Sequence, residues 1–136
     1  MSERPHKKLM AWQKAMDAIE EIYRLTERFP NEERFGLVSQ MRRAAVSIAT
    51  NIAEGAARQT LKERIQFFYM ARGSLSELDT QLEIAERLGL ISMEQRTITQ
   101  PTLEEIGRLL NGLIVSQEQR RVRALSDHSL TSSLTH

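Results

Sequence analysis

The stretch Leu37-Val38-Ser39-Gln40-Met41-Arg42-Arg43-Ala44-Ala45-Val46-Ser47-Ile48-Ala49-Thr50-Asn51-Ile52-Ala53-Glu54-Gly55 decides the fold. Leu37, Met41, Ala44, Ile48 and Ile52 recur every three or four residues, which lines them along one side of an α-helix. At ~100° per residue, Gln40, Arg43, Ser47, Asn51 and Glu54 fall on one narrow strip beside that apolar face, and Arg58 extends the strip. Further round come Ala45, Val46, Ala49, Ala53 and Ala57, where only Arg42 and Thr50 are polar. A helix with so little solvent-loving surface is expected to be covered on more than one side. Gln, Ser and Asn at the edge of a core also suit directed hydrogen bonds better than a solvated face, which favours Lys and Glu.

Upstream, Leu9, Trp12, Met16, Ile19 and Ile22 or Tyr23 carry the same spacing and predict a first helix over residues 8–28. Pro30 ends it, because the residue before a proline avoids α geometry, and Asn31 is the expected cap of the second helix. Downstream, the second helix turns near Gly55 to Arg58. Thr60-Leu61-Lys62-Glu63 reads as a capping box that opens a third helix over residues 61–88. Leu61, Ile65, Phe68, Tyr69, Leu75, Leu78, Leu82 and Ala85 form its inward face, and Gly89 suits a left-handed C-terminal residue. Ser92-Met93-Glu94-Gln95 is a second capping box. It opens a fourth helix with Ile98, Ile106, Leu109, Leu110, Leu113 and Ile114, read as one helix kinked at Pro101. From Ala124 the composition turns to Ser, Thr and His, which predicts a disordered tail. The expected organisation is an N-terminal tail of residues 1–7, a bundle over 8–123 and a C-terminal tail over 124–136. Short loops make successive helices antiparallel, so the fold class is an all-α, up-and-down four-helix bundle.

With 136 residues, the chain has material for one domain. It has no cysteine, which excludes disulfides, thiolate metal sites and cysteine nucleophiles. Nineteen Lys and Arg against eighteen Asp and Glu leave a charge of +1, so basic surface must be local. No apolar run approaches the roughly 20 residues needed to span a bilayer and no signal-peptide core precedes the first helix, so the expected location is the cytoplasm.

Catalytic chemistry finds no foothold in these residues. Di-metal bundles need Glu-x-x-His pairs, and the only such spacing, Glu3-Arg4-Pro5-His6, contains a proline; His128 and His136 lie in the opposite tail. Ser74 follows Gly73 but has no histidine to activate it. No Gly-rich phosphate loop is present, and neither a metal nor a cofactor is expected. Arg120, Arg121 and Arg123 complement the dipole at the end of the last helix. Trp12, Phe67, Phe68 and Tyr69 sit at helical spacing as core or subunit contacts, with Phe67 left over once Phe68 and Tyr69 fill the inward face. A turn centred at Arg58 and Gln59 places Arg43 opposite Ser74 and Gln40 opposite Glu77. Such a register predicts a partly buried Arg43–Glu77 pair and a close helix approach at Gly73. Gln40, Arg43, Ser47, Asn51, Glu54, Ser74 and Glu77 are therefore the expected polar network for fold and assembly.

The run Phe29-Pro30, Glu33, Phe35-Gly36-Leu37, Gln40, Arg43-Ala44-Ala45, Ser47-Ile48, Asn51-Ile52-Ala53-Glu54-Gly55, Arg58, then Gly73-Ser74-Leu75, Glu77-Leu78 and Leu88-Gly89, closely resembles a bacterial four-helix-bundle family. That family is named for proteins encoded in intervening sequences of 23S ribosomal RNA genes, also labelled S23 ribosomal proteins. The likeness spans residues 8–122. It implies a left-turning antiparallel bundle in the cytosol without known catalysis, and assembly into ring-shaped homopentamers. An accessory protein of diversity-generating retroelements is similar and forms a basic pentameric barrel that binds nucleic acid and a reverse transcriptase. The expectation is thus an interaction or scaffold module whose partners are copies of itself, with RNA or a nucleic-acid-processing protein as a further partner. The alternative is a ring that binds RNA or DNA through Arg42, Arg58, Lys62, Arg64 and Arg72, which every subunit repeats.

Overall fold

The structure, a computed structural model, describes residues 4–134. Helices α1 (Met10–Thr26), α2 (Leu37–Ala57), α3 (Leu61–Arg87) and α4 (Met93–Leu134) are joined by short connections. Each packs on the next and α4 closes against α1, giving an up-and-down four-helix bundle. Short 3-10 turns at Pro5–Lys8 and Asn31–Glu33 precede α1 and α2. Asn31 starts one of these turns rather than capping α2, whose N-cap position is Gly36.

The start and stop signals act as their chemistry dictates, with one variation. Ser92 and Gln95 form the complete box: the Gln95 amide donates to Ser92 Oγ at 3.1 Å and the Ser92 amide to Gln95 Oε1 at 2.8 Å. At Thr60 the Glu63 amide donates to Oγ1 at 3.2 Å, but the Glu63 carboxylate accepts from the Thr60 hydroxyl instead of its amide. Gly89 takes φ +75°. The amides of Gly89 and Leu90 then reach back to the carbonyls of Glu86 and Ala85, so α3 ends in a Schellman motif.

The core departs from the expected pattern in α1. Its buried residues are Ala11, Ala15, Ala18, Ile22 and Thr26. Trp12 and Ile19 lie at the core edge, while Met16 and Tyr23 are 40% and 41% exposed. Both stripes have helical period, so spacing cannot choose between them. Packing chooses the alanine stripe, whose small side chains seat α1 against α2 and α4. The same displacement occurs in α4, where Thr99 is buried and Ile98 is 74% exposed. The Thr99 hydroxyl is satisfied by the Gln95 carbonyl at 3.1 Å. In α3, Phe68 is buried but Tyr69 faces out and donates to Glu118 Oε1 at 2.7 Å.

Helix α4 runs unbroken through Pro101. Pro101 and Thr97, whose carbonyl loses its partner to the missing N–H, are both on the exposed side, where water can replace the bond. The expected disordered tail from Ala124 is instead continuous α4 up to Leu134, there being no Gly or Pro after Gly112 to stop it. Ile114 is the last core residue of α4, so the remainder projects along the solvent side. Residues 1–3 and 135–136, which include Glu3 and His136, lie outside the described residues.

Candidate interaction surface

Half of the polar strip of α2 is gathered into one cluster. Ser47 Oγ lies 2.9 Å from Ser74 Oγ on α3, and Asn51 Nδ2 donates to Ser47 Oγ at 3.0 Å and to the Ser47 carbonyl at 2.9 Å. These half-buried groups pin α2 to α3 in a single axial register. That register is one helical turn away from the expected one: Ser47, rather than Arg43, is opposite Ser74. The turn is centred on Thr60, because α2 continues through Gly55 to Ala57 before the chain reverses.

The shift removes the predicted pair. Arg43 and Glu77 are both exposed and form no ion pair with each other; Glu77 Oε1 accepts from Gln81 Nε2 at 3.3 Å. Gln81 is the polar residue that the shift buries, 5% exposed, with its Oε1 unpartnered. Gln40 is exposed, and Glu54 turns outward to Arg58 at 2.6 Å. Gly73 is also exposed, with nothing within 4 Å of the position a Cβ would take, so it serves no close approach inside the protomer. Gly55 does that instead. A Cβ there would stand 2.7 Å from Phe68 Cε1. Its position four residues after the small-polar Asn51, facing an aromatic near the start of the next helix, was the available signal.

Four of the five cations proposed for nucleic acid are engaged within the chain. Arg42 donates from Nε to Thr26 Oγ1 at 2.9 Å and from Nη2 to the Tyr23 carbonyl at 3.3 Å, and lies 4.3 Å over the Tyr23 ring. Arg58 pairs with Glu54 and covers Phe67, while Arg64 Nε donates to the Arg58 carbonyl at 2.7 Å. Arg72 donates to Asn111 Oδ1 at 3.1 Å and lies over Tyr69. Lys62 is exposed in the first turn of α3. The hydrogen bond to Glu118 raises the Tyr69 pKa above 10.0, burial and the Glu118 charge adding to it and Arg72 opposing it.

Sequence reasoning missed the outer side of α1 and α2. Trp12, Met16, Ile19 and Tyr23 line the flank of α1 that faces α2, and Arg42 on Tyr23 bridges the two helices. Beside Tyr23 opens a shallow groove of about 590 Å3 along α2, floored by Val38, Val46 and Thr50 and bordered by Arg34, Arg42 and Arg43. Phe35 stands at its end, 89% exposed. The lining contains no Asp or Glu. Among the described residues no group of three or more His, Asp or Glu side chains could hold a metal ion, and no helix is long and apolar enough to cross a membrane.

Comparison with known proteins agrees with this architecture. No curated protein matches the chain. A crystal structure from Bacteroides thetaiotaomicron VPI-5482, described as a protein of unknown function from the S23 ribosomal protein family, is 26% identical. The match covers 77% of this chain and 98% of that one, with a TM-score of 0.72. The family model for 23S rRNA-intervening sequence proteins matches residues 7–112, which takes in α1, α2, α3 and most of the core-forming part of α4. The chain therefore belongs to the 23S rRNA-intervening sequence protein family.

Proposed function

We propose that this protein is a non-enzymatic interaction module of the cytoplasm that assembles with copies of itself, as a homopentamer, and offers the assembly as a scaffold. The observation that carries this reading is the inversion of α1: its alanines enter the core while Met16 and Tyr23 are left outside it, Tyr23 beside an apolar, carboxylate-free groove on α2. Exposed apolar surface of this kind is retained where another protein surface covers it. The all-round apolar character of α2 supports the same conclusion, because a monomeric bundle covers only one side of that helix.

A ring that binds RNA or DNA through Arg42, Arg58, Lys62, Arg64 and Arg72 draws less support, since the four arginines already serve hydrogen bonds or ring contacts inside the protomer. Light scattering coupled to size-exclusion chromatography tests the assembly. The expected mass is five times the 15.6 kDa of one chain. A single species at 15.6 kDa across micromolar concentrations would remove the reading.

A further inference from the structure

The α2 groove has a counterpart on the same molecule. On α3, Met70, Gly73, Glu77, Ile84 and Leu88 follow one another at intervals of three, four, seven and four residues, which places them on one side of the helix. All five are exposed, Met70, Ile84 and Leu88 being large apolar groups that nothing in the protomer covers. Glu77 is the single acidic group of this strip, and Gly73 presents bare backbone midway along it, with nothing within 4 Å of its Cβ direction. Glycine is the least favourable non-proline residue in a helix interior. Within the protomer no contact accounts for it, whereas a second helix lying against the strip would need the space.

The groove and the strip are opposite in kind. One is apolar and bordered by three arginines with no carboxylate; the other is apolar with a single carboxylate and no cation among its five residues. Arg43 at the groove edge has no hydrogen-bond or ion-pair partner among the described residues, and Glu77 is held only by the Gln81 amide. We infer that the α3 strip of one copy seats in the α1–α2 groove of the next, with Glu77 against Arg43 and the Gly73 backbone against the groove floor. This rests on the proposed self-assembly and specifies its contact as heterologous rather than two-fold. Two faces on adjacent corners of a four-helix bundle look out roughly 90° apart, so repeating this head-to-tail contact closes a small ring instead of a filament.

The full chain is tested by light scattering and sedimentation at low salt, with circular dichroism to check the helices. Arg43→Glu and Glu77→Arg each place like charges across the contact and are expected to weaken association by at least about tenfold. Arg43→Glu combined with Glu77→Arg in one chain restores it. Gly73→Gln, which meets nothing inside the protomer, is expected to leave the helices intact and dissociate the ring. A monomeric wild type would defeat the assembly itself. An assembled wild type whose three single variants keep its mass, or whose combined charge reversal fails to recover what each reversal lost, would overturn this contact while leaving assembly standing.

Discussion

Ser47 Oγ and Ser74 Oγ lie 2.9 Å apart across the α2–α3 contact, and Asn51 Nδ2 closes on the same Ser47 oxygen at 3.0 Å. A hydroxyl has one proton to give and two lone pairs to accept with, so Ser47 can serve both neighbours at once. The cluster is therefore a register key between two otherwise apolar faces. Sliding α3 by one turn would place Ser47 against an apolar side chain and leave half-buried donors unpaired.

Ser74→Ala is accordingly expected to cost about 1 kcal/mol in urea unfolding, the usual net worth of such a bond. Ser47→Ala costs more, because it also strips Asn51 of its side-chain acceptor. The double variant should fall short of the sum of the two, since the shared bond is lost only once. Strict additivity would show that the two hydroxyls do not interact.

The glycines separate by what surrounds them. Gly55→Ala drives a methyl to 2.7 Å from Phe68 Cε1 and 3.1 Å from Phe67 Cβ, and is expected to destabilise the fold by about 1–3 kcal/mol. Gly112→Ala adds a methyl with nothing within 4 Å, in the exposed part of α4. It should stabilise by up to about 1 kcal/mol. Thermal and urea unfolding of the two variants read opposite signs if the packing is as described.

Arg42 acts as a clasp between α1 and α2, so Arg42→Ala is expected to lower stability by about 1–3 kcal/mol through two lost hydrogen bonds and a lost ring contact. Arg42→Lys should recover little of this, because an ammonium cannot lie flat on Tyr23 while donating to both Thr26 and the Tyr23 carbonyl. Full rescue by lysine would mean that charge alone matters there.

Tyr69 supplies a pH dependence whose sign follows from its protonated form being the one that donates to Glu118. Its folded pKa is raised, so its contribution is present below the unfolded value of 10.0 and is lost as pH rises through the folded value. Ultraviolet titration of Tyr23→Phe, in which Tyr69 is the remaining tyrosine, should give a midpoint above 10.0. Glu118→Gln removes the charge and should bring that midpoint down.

The helices, their order and their ends are written in the chain alone. Hydrophobic period, two capping boxes and Gly89 act within a few residues of one another, so Thr60, Ser92 and Gly89 do in the structure what their chemistry announces. The family, too, was legible in the motif along α2, and the family model agrees. Which helical face turns inward, and at what axial register, belonged to the packed bundle. In α1 two apolar stripes share one period, and only packing against α2 and α4 selects Ala11, Ala15 and Ala18 over Met16 and Tyr23. Between α2 and α3 a one-turn slide preserves every periodic pattern. Ser47, rather than Arg43, meets Ser74 because Gly55 lets the Phe68 ring close on α2 and the Ser47–Asn51–Ser74 bonds hold only in that position. Periodicity is a property of one helix, whereas register is a property of two, so it is settled only when their side chains touch.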